Sequence, residues 1–71
     1  MLIQYQGIFE NVDKQRCAAL FKSAELPLDI VRQALLGVSN IPDGFELVEI
    51  RQHGLGEGSI EVQSLWVKGN D

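Results

Sequence analysis

The sequence predicts a small α+β domain in which two helices cover one face of a three-stranded antiparallel sheet, in the order β-α-α-β-β. Three observations carry this expectation. Between Asp13 and Val38, apolar residues recur at helical spacing on either side of Pro27. Before that stretch, Leu2 to Phe9 is rich in strand-forming side chains. After it, two strand-like runs flank the glycine-rich segment Gly54-Leu55-Gly56-Glu57-Gly58. Both strand regions need a cover for their apolar sides, and the helix pair is the one the chain offers.

In the first run, Ile3, Tyr5 and Phe9 share a face. Gly7 lies on the same face, where glycine marks a bulge or a close approach. Asn11 or Asp13 is the expected cap of the first helix. Cys17, Leu20, Phe21 and Ala24 then follow i, i+3, i+4, i+7 spacing. Pro27 ends that helix and opens the next. Asp29 sits in the favourable first turn. Val31, Ala34, Leu35 and Val38 repeat the apolar stripe, while Leu36 projects away from it. Gly37 or Asn40 is expected to end this helix in a left-handed conformation. Ile41-Pro42-Asp43-Gly44 reads as a turn. Phe45 to His53 and Ser59 to Lys68 are the last two strands, joined as a hairpin. The expected core is Leu20, Phe21, Val31, Leu35, Val48, Ile50, Val62 and Trp66.

With 71 residues the chain is one domain, residues 1–71. So short a chain buries only roughly 60% of its unfolded surface. Small folds therefore lean on staples or on a second subunit. Cys17 is the only cysteine and His53 the only histidine. Together they make neither an internal disulfide nor a four-ligand zinc site. A lone cysteine fits a reducing cytoplasm. The start Met1-Leu2-Ile3-Gln4-Tyr5 has no basic leader pattern, and no apolar run is long enough for a membrane span. The expectation is a cytoplasmic protein.

The net charge of −4 is unevenly spread. Residues 11–36 set Lys14, Arg16, Lys22 and Arg32 against Asp13, Glu25 and Asp29. Residues 43–71 set only Arg51 and Lys68 against Asp43, Glu46, Glu49, Glu57, Glu61 and Asp71. An acidic balance disfavours nonspecific attraction to nucleic acid or anionic lipid.

No motif for catalysis, cofactor or metal survives inspection. Cys17 falls on a buried helix face, where a free thiol acts as a small hydrophobe. The segment Gly54 to Gly58 runs strand to strand and contains Glu57, whereas a phosphate cradle runs from a strand into a helix. Glu46, Glu49, Glu57 and Glu61 lie on a hairpin without an expected cleft, so paired-carboxylate chemistry lacks its environment. Arg51 is placed to pair with Glu61 across the strands.

Leu20, Ala24, Leu26, Val31 and Ala34 fall where a helix-turn-helix buries side chains. The segment Leu20 to Ala34 resembles that motif, and the element order is similar to the later part of a winged-helix domain. Phe21 stands where the motif usually has a small residue, and Glu25 where it usually has glycine. The first winged-helix helix is absent. The resemblance implies DNA contact through Arg32 and Gln33, with Asp29 and Leu36 beside them. Glu49, Glu57 and Glu61 on the corresponding wing carry the wrong sign for phosphate.

The hairpin makes the leading functional expectation. Pairing His53 with Ser59 sets Arg51 opposite Glu61, Ile50 opposite Val62, Leu47 opposite Leu65 and Phe45 opposite Val67. Phe45, Leu47, Leu65 and Val67 then form an apolar group on the face away from the helices. The other possibility is a β-bulge that turns some of them inward. An exposed apolar patch marks an interaction site, and a two-fold dimer is the commonest cover. The expectation is a non-enzymatic accessory or regulatory protein that binds another protein, most simply as a homodimer. The alternative is the winged-helix-like DNA binder.

Overall fold

The computed structural model describes residues 2–54 and 62–69. Its elements are β1 (Ile3–Glu10), β2 (Arg16–Ser23), α1 (Leu28–Leu36), β3 (Glu46–Gly54) and β4 (Val62–Val67). The four strands form one antiparallel sheet in the order β2-β1-β3-β4. One helix lies on it. The expected three strands with two helices, β-α-α-β-β, are therefore replaced by β-β-α-β-β. The first expected helix is a strand.

The reason lies in two overlapping periodicities. Cys17 and Phe21 belong both to a helical stripe and to a period-two stripe. In the structure Cys17, Ala19 and Phe21 are half-buried, while Arg16, Ala18, Leu20 and Lys22 are exposed. Leu20, assigned to the core by helical spacing, is 56% exposed. The deciding signal is the turn before it. The Asn11 side-chain oxygen accepts from the amides of Asp13 (3.0 Å) and Gln15 (2.9 Å). The Lys14 amide donates to the Asn11 carbonyl at 3.0 Å, and Lys14 itself takes a positive φ of 65°. That is a tight hairpin turn with an Asx bond, not a helix cap. It folds β2 back along β1 in continuous register, from Glu10 opposite Arg16 to Ile3 opposite Ser23. Alanine and leucine favour helix in isolation, but the ladder with β1 overrides that preference.

α1 begins where Pro27 predicts. Pro27 is its N-cap, and its carbonyl accepts from Ile30 and Val31. Among the described residues no side chain caps it, and Asp29 occupies the first turn. Val31 and Leu35, one turn apart, are its buried residues. Gly37 closes the helix at φ −85°, in the right-handed region rather than the left-handed one expected. The following turn also shifts by one residue: Phe45 donates to the Pro42 carbonyl, and Gly44 takes φ +90° at the third position.

The core is Tyr5, Phe9, Val31, Leu35, Leu47 and Ile50. Gly7 sits beneath the helix, where an added Cβ would meet Leu35 at 3.0 Å and Leu47 at 3.1 Å. Its lack of a side chain lets α1 approach the sheet. Tyr5 packs its ring 5.4 Å from that of Phe21, and its hydroxyl accepts from the Leu26 amide at 3.0 Å. That bond ties the β2–α1 connection to the sheet. Of the expected core, Val31, Leu35 and Ile50 are buried, Phe21 and Trp66 pack against the cluster, and Val62 is exposed.

Two irregularities set the hairpin geometry. Ile8 pairs with Glu49 but Phe9 pairs with Leu47, so Val48 is an extra residue in β3. Ile50 pairs with Trp66 but Arg51 pairs with Ser64, so Leu65 is extra in β4. Each bulge interrupts the alternation of faces. His53 pairs with Val62, not Ser59. The expected five-residue loop at Gly54 to Gly58 extends outside the described residues.

Candidate interaction surfaces

The bulge at Val48 lets Leu47 and Ile50, three residues apart, both face α1. Leu47 is consequently only 5% exposed and belongs to the core. Phe45 and Leu65 are half-buried and pack against that core. Val67, opposite Glu49, is 39% exposed. The expected patch of Phe45, Leu47, Leu65 and Val67 is thus split up, and the bulge alternative accounts for it.

The sheet face away from α1 carries polar groups that satisfy one another. The Arg51 guanidinium donates to both Glu49 carboxylate oxygens, at 2.8 and 3.2 Å. This pairing lowers the Glu49 pKa against the opposing effect of partial burial. Arg51 therefore pairs along its own strand; Glu61, its expected partner, lies outside the described residues. Glu10 is bonded by Arg16 at 2.8 Å and approached by Lys14 at 3.5 Å, and the Arg16 bond chiefly lowers its pKa. His53 Nε2 lies 2.9 Å from Gln6 Oε1. Ile8 is only 8% exposed on this face, with Ala18 and Glu49 as its cross-strand neighbours.

Cys17 pairs with Phe9 on the α1 side, whereas His53 pairs with Gln4 and points to the other face. Topology therefore separates the one thiol from the one imidazole. Among the described residues, no three His, Cys, Asp or Glu side chains gather as metal ligands. No described helix is long and apolar enough to cross a membrane. Arg32 and Gln33 are exposed on α1. Their proposed partner helix is β2, so the helix-turn-helix resemblance over Leu20 to Ala34 has no structural counterpart.

A cleft of about 350 Å³ with mixed polar and apolar lining opens between the end of α1, the segment 38–45 and the adjoining ends of β1 and β3. Phe9, Leu36, Val38, Ile41, Phe45 and Leu47 form its apolar walls, and Asp43 and Glu46 also line it. Leu36 is 60% exposed. Two expected interface residues, Phe45 and Leu47, thus reappear as cleft walls. Leu36 and Ile41 were missed as site residues; the available signal was Leu36 standing off the helix stripe.

Searches against protein-family models, curated proteins and solved structures yield no match to this chain.

Proposed function

We propose that this protein is a small non-enzymatic binding module that acts through protein–protein contact at the cleft beside the α1 C-terminus. The observation that supports this reading is Leu36, an apolar side chain 60% exposed on the wall of a cleft that also presents Phe45, Asp43 and Glu46. The volume of about 350 Å³ lies at the small end for a ligand site and suits an inserted apolar side chain. Asp43 and Glu46 favour a partner with a lysine or arginine beside that anchor, although Lys68 already engages Glu46 at 2.6 Å. Covering the exposed part of Leu36 contributes about 1–2 kcal/mol.

Leu36→Glu tests this with little risk to folding, because the side chain is outside the core. Sedimentation at micromolar concentration asks whether the partner is a second copy. Comparative capture from the native cell asks whether it is another protein. The expected result is self-association, or a captured protein, that the parent shows and Leu36→Glu loses. A monomeric parent whose captured proteins match those of Leu36→Glu overturns the reading.

A further inference from the structure

We propose that the free edge of β2 docks an extended acidic segment of another protein, which joins the sheet as a fifth strand. β2 lies at one end of the sheet order, so one side of its backbone has no neighbour among the described strands. It runs eight residues, Arg16–Ser23, without a proline, a glycine or a shift in register against β1. The opposite edge differs: β4 carries a bulge at Leu65. Bulges are among the devices that keep edges from pairing, and the ladder of β2 with β1 has none.

The hairpin turn fixes which groups face outward. The Asn11 amide donates to the Gln15 carbonyl at 3.1 Å, which makes that pair hydrogen-bonded. Alternation along an antiparallel ladder then bonds Phe9 with Cys17, Gly7 with Ala19 and Tyr5 with Phe21. The N–H and C=O groups of Arg16, Ala18, Leu20 and Lys22 therefore point to the free edge. All four residues are exposed, and their side chains share the face away from α1. An added strand meets a cation, a methyl group, a leucine and a second cation in turn. None of the four lines the cleft beside α1, so this edge is independent of the function proposed there.

Charge selects the occupant. The chain carries −4 overall, yet Arg16 and Lys22 both stand on β2, with Lys14 in the adjoining turn, its ammonium 3.5 Å from Glu10. Arg16 is partly engaged by Glu10, while Lys22 has no ion pair among the described residues. A second copy is a poor fit. Antiparallel pairing about Ala19 sets Arg16 opposite Lys22 of the other copy. Pairing about Leu20 sets the same two diagonally, and pairing about Ala18 sets Lys22 opposite Lys14. Like charges placed this way destabilise a strand pair, whereas carboxylates there stabilise it. The fitting segment has acidic residues six positions apart, opposite Arg16 and Lys22, with β-branched apolar residues between them opposite Ala18 and Leu20. Main-chain bonds supply affinity, and the side-chain pattern supplies selectivity.

The test uses the full chain and a fluorescein-labelled peptide, Thr-Asp-Thr-Val-Thr-Val-Thr-Glu-Thr, read by anisotropy at low salt. A control peptide carries lysine at both acidic positions. Reversing two cross-strand charge pairs predicts roughly tenfold weaker binding for the control. Lys22→Glu should shrink or invert that preference. Leu20→Pro removes an outward amide together with the leucine side chain; it should abolish binding where Leu20→Ala, which keeps the amide, only weakens it, while circular dichroism of both stays unchanged. If the proline variant unfolds, amide shifts confined to residues 16–22 on adding peptide take its place. Equal binding of both peptides overturns the proposal. So does undiminished binding to a folded Leu20→Pro, or a preference for an oligonucleotide over the acidic peptide.

Discussion

Replacing Gly7 by alanine tests how α1 is seated on the sheet. The new methyl carbon would stand 3.0 and 3.1 Å from the two Leu35 methyls and 3.1 Å from a Leu47 methyl. Favourable carbon–carbon separations are about 3.5–4.0 Å, so three neighbours must each retreat by about half an ångström. Leu35 is 1% exposed and Leu47 is buried beside it, which leaves them little room. Overpacking of this kind costs about 1–3 kcal/mol. Alanine also restricts the unfolded chain and returns about 0.4–1 kcal/mol. The expected net loss is roughly 1 kcal/mol, or a fall of about 4–8 °C in Tm for a domain of this size. Urea unfolding followed by the fluorescence of Trp66, the only tryptophan, reads it directly. Leu35→Ala alone should cost about 2–5 kcal/mol. Added to Gly7→Ala, it should cost less than the two separate losses combined, by at least about 0.5 kcal/mol, because the methyl then occupies vacated space. A Gly7→Ala midpoint at or above the parent's, or strictly additive losses, refutes this account of the helix–sheet contact.

Three further outcomes are expected. Tyr5→Phe leaves the Leu26 amide without its acceptor and should lower stability by about 0.5–1.5 kcal/mol; hydrogen exchange at Leu26 should accelerate with little change elsewhere. Asn11→Ala removes the acceptor for the Asp13 and Gln15 amides and should lower stability by about 1 kcal/mol, chiefly by slowing folding if this hairpin forms early; an unchanged urea midpoint would count against the Asx turn. Acid should weaken the fold through Glu49, whose folded pKa is lowered chiefly by the Arg51 hydrogen bonds. A lowered folded pKa means that its contribution is complete above the unfolded value and is lost as pH falls through the folded one. The urea midpoint of Glu49→Gln should therefore lie below the parent's at neutral pH and converge with it in acid; curves parallel across that range would contradict the pairing.

How much was legible in the sequence differs from element to element. The strand at Leu2–Phe9 was readable because β-branched and aromatic side chains crowd it. Leu28–Leu36 was readable because Pro27 starts it and because Val31 and Leu35 stand one turn apart. The residues of β2 were not, since Cys17 and Phe21 satisfy two periods at once. Only the return of the chain at Asn11–Gln15 chose between them. The cleft is half legible: Phe45 and Leu47 are among the residues expected at an interface and also line it, whereas Leu36 shows in the sequence only as a leucine off the helix stripe.

By itself, then, the sequence determined the strand character of β1, the start of α1 with its buried Val31 and Leu35 though not Ala34, which is exposed, and the antiparallel pairing of the last two strands. These follow from local sterics, proline geometry and side-chain period, which act over a few residues. The tertiary structure alone decided that residues 16–23 form an edge strand, that Val48 and Leu65 bulge, and that Leu47 turns inward. Each depends on a hydrogen-bonded partner strand or on α1, brought close by the fold. A single extra residue in a ladder reverses every side chain beyond it, and no local pattern announces where that residue will be.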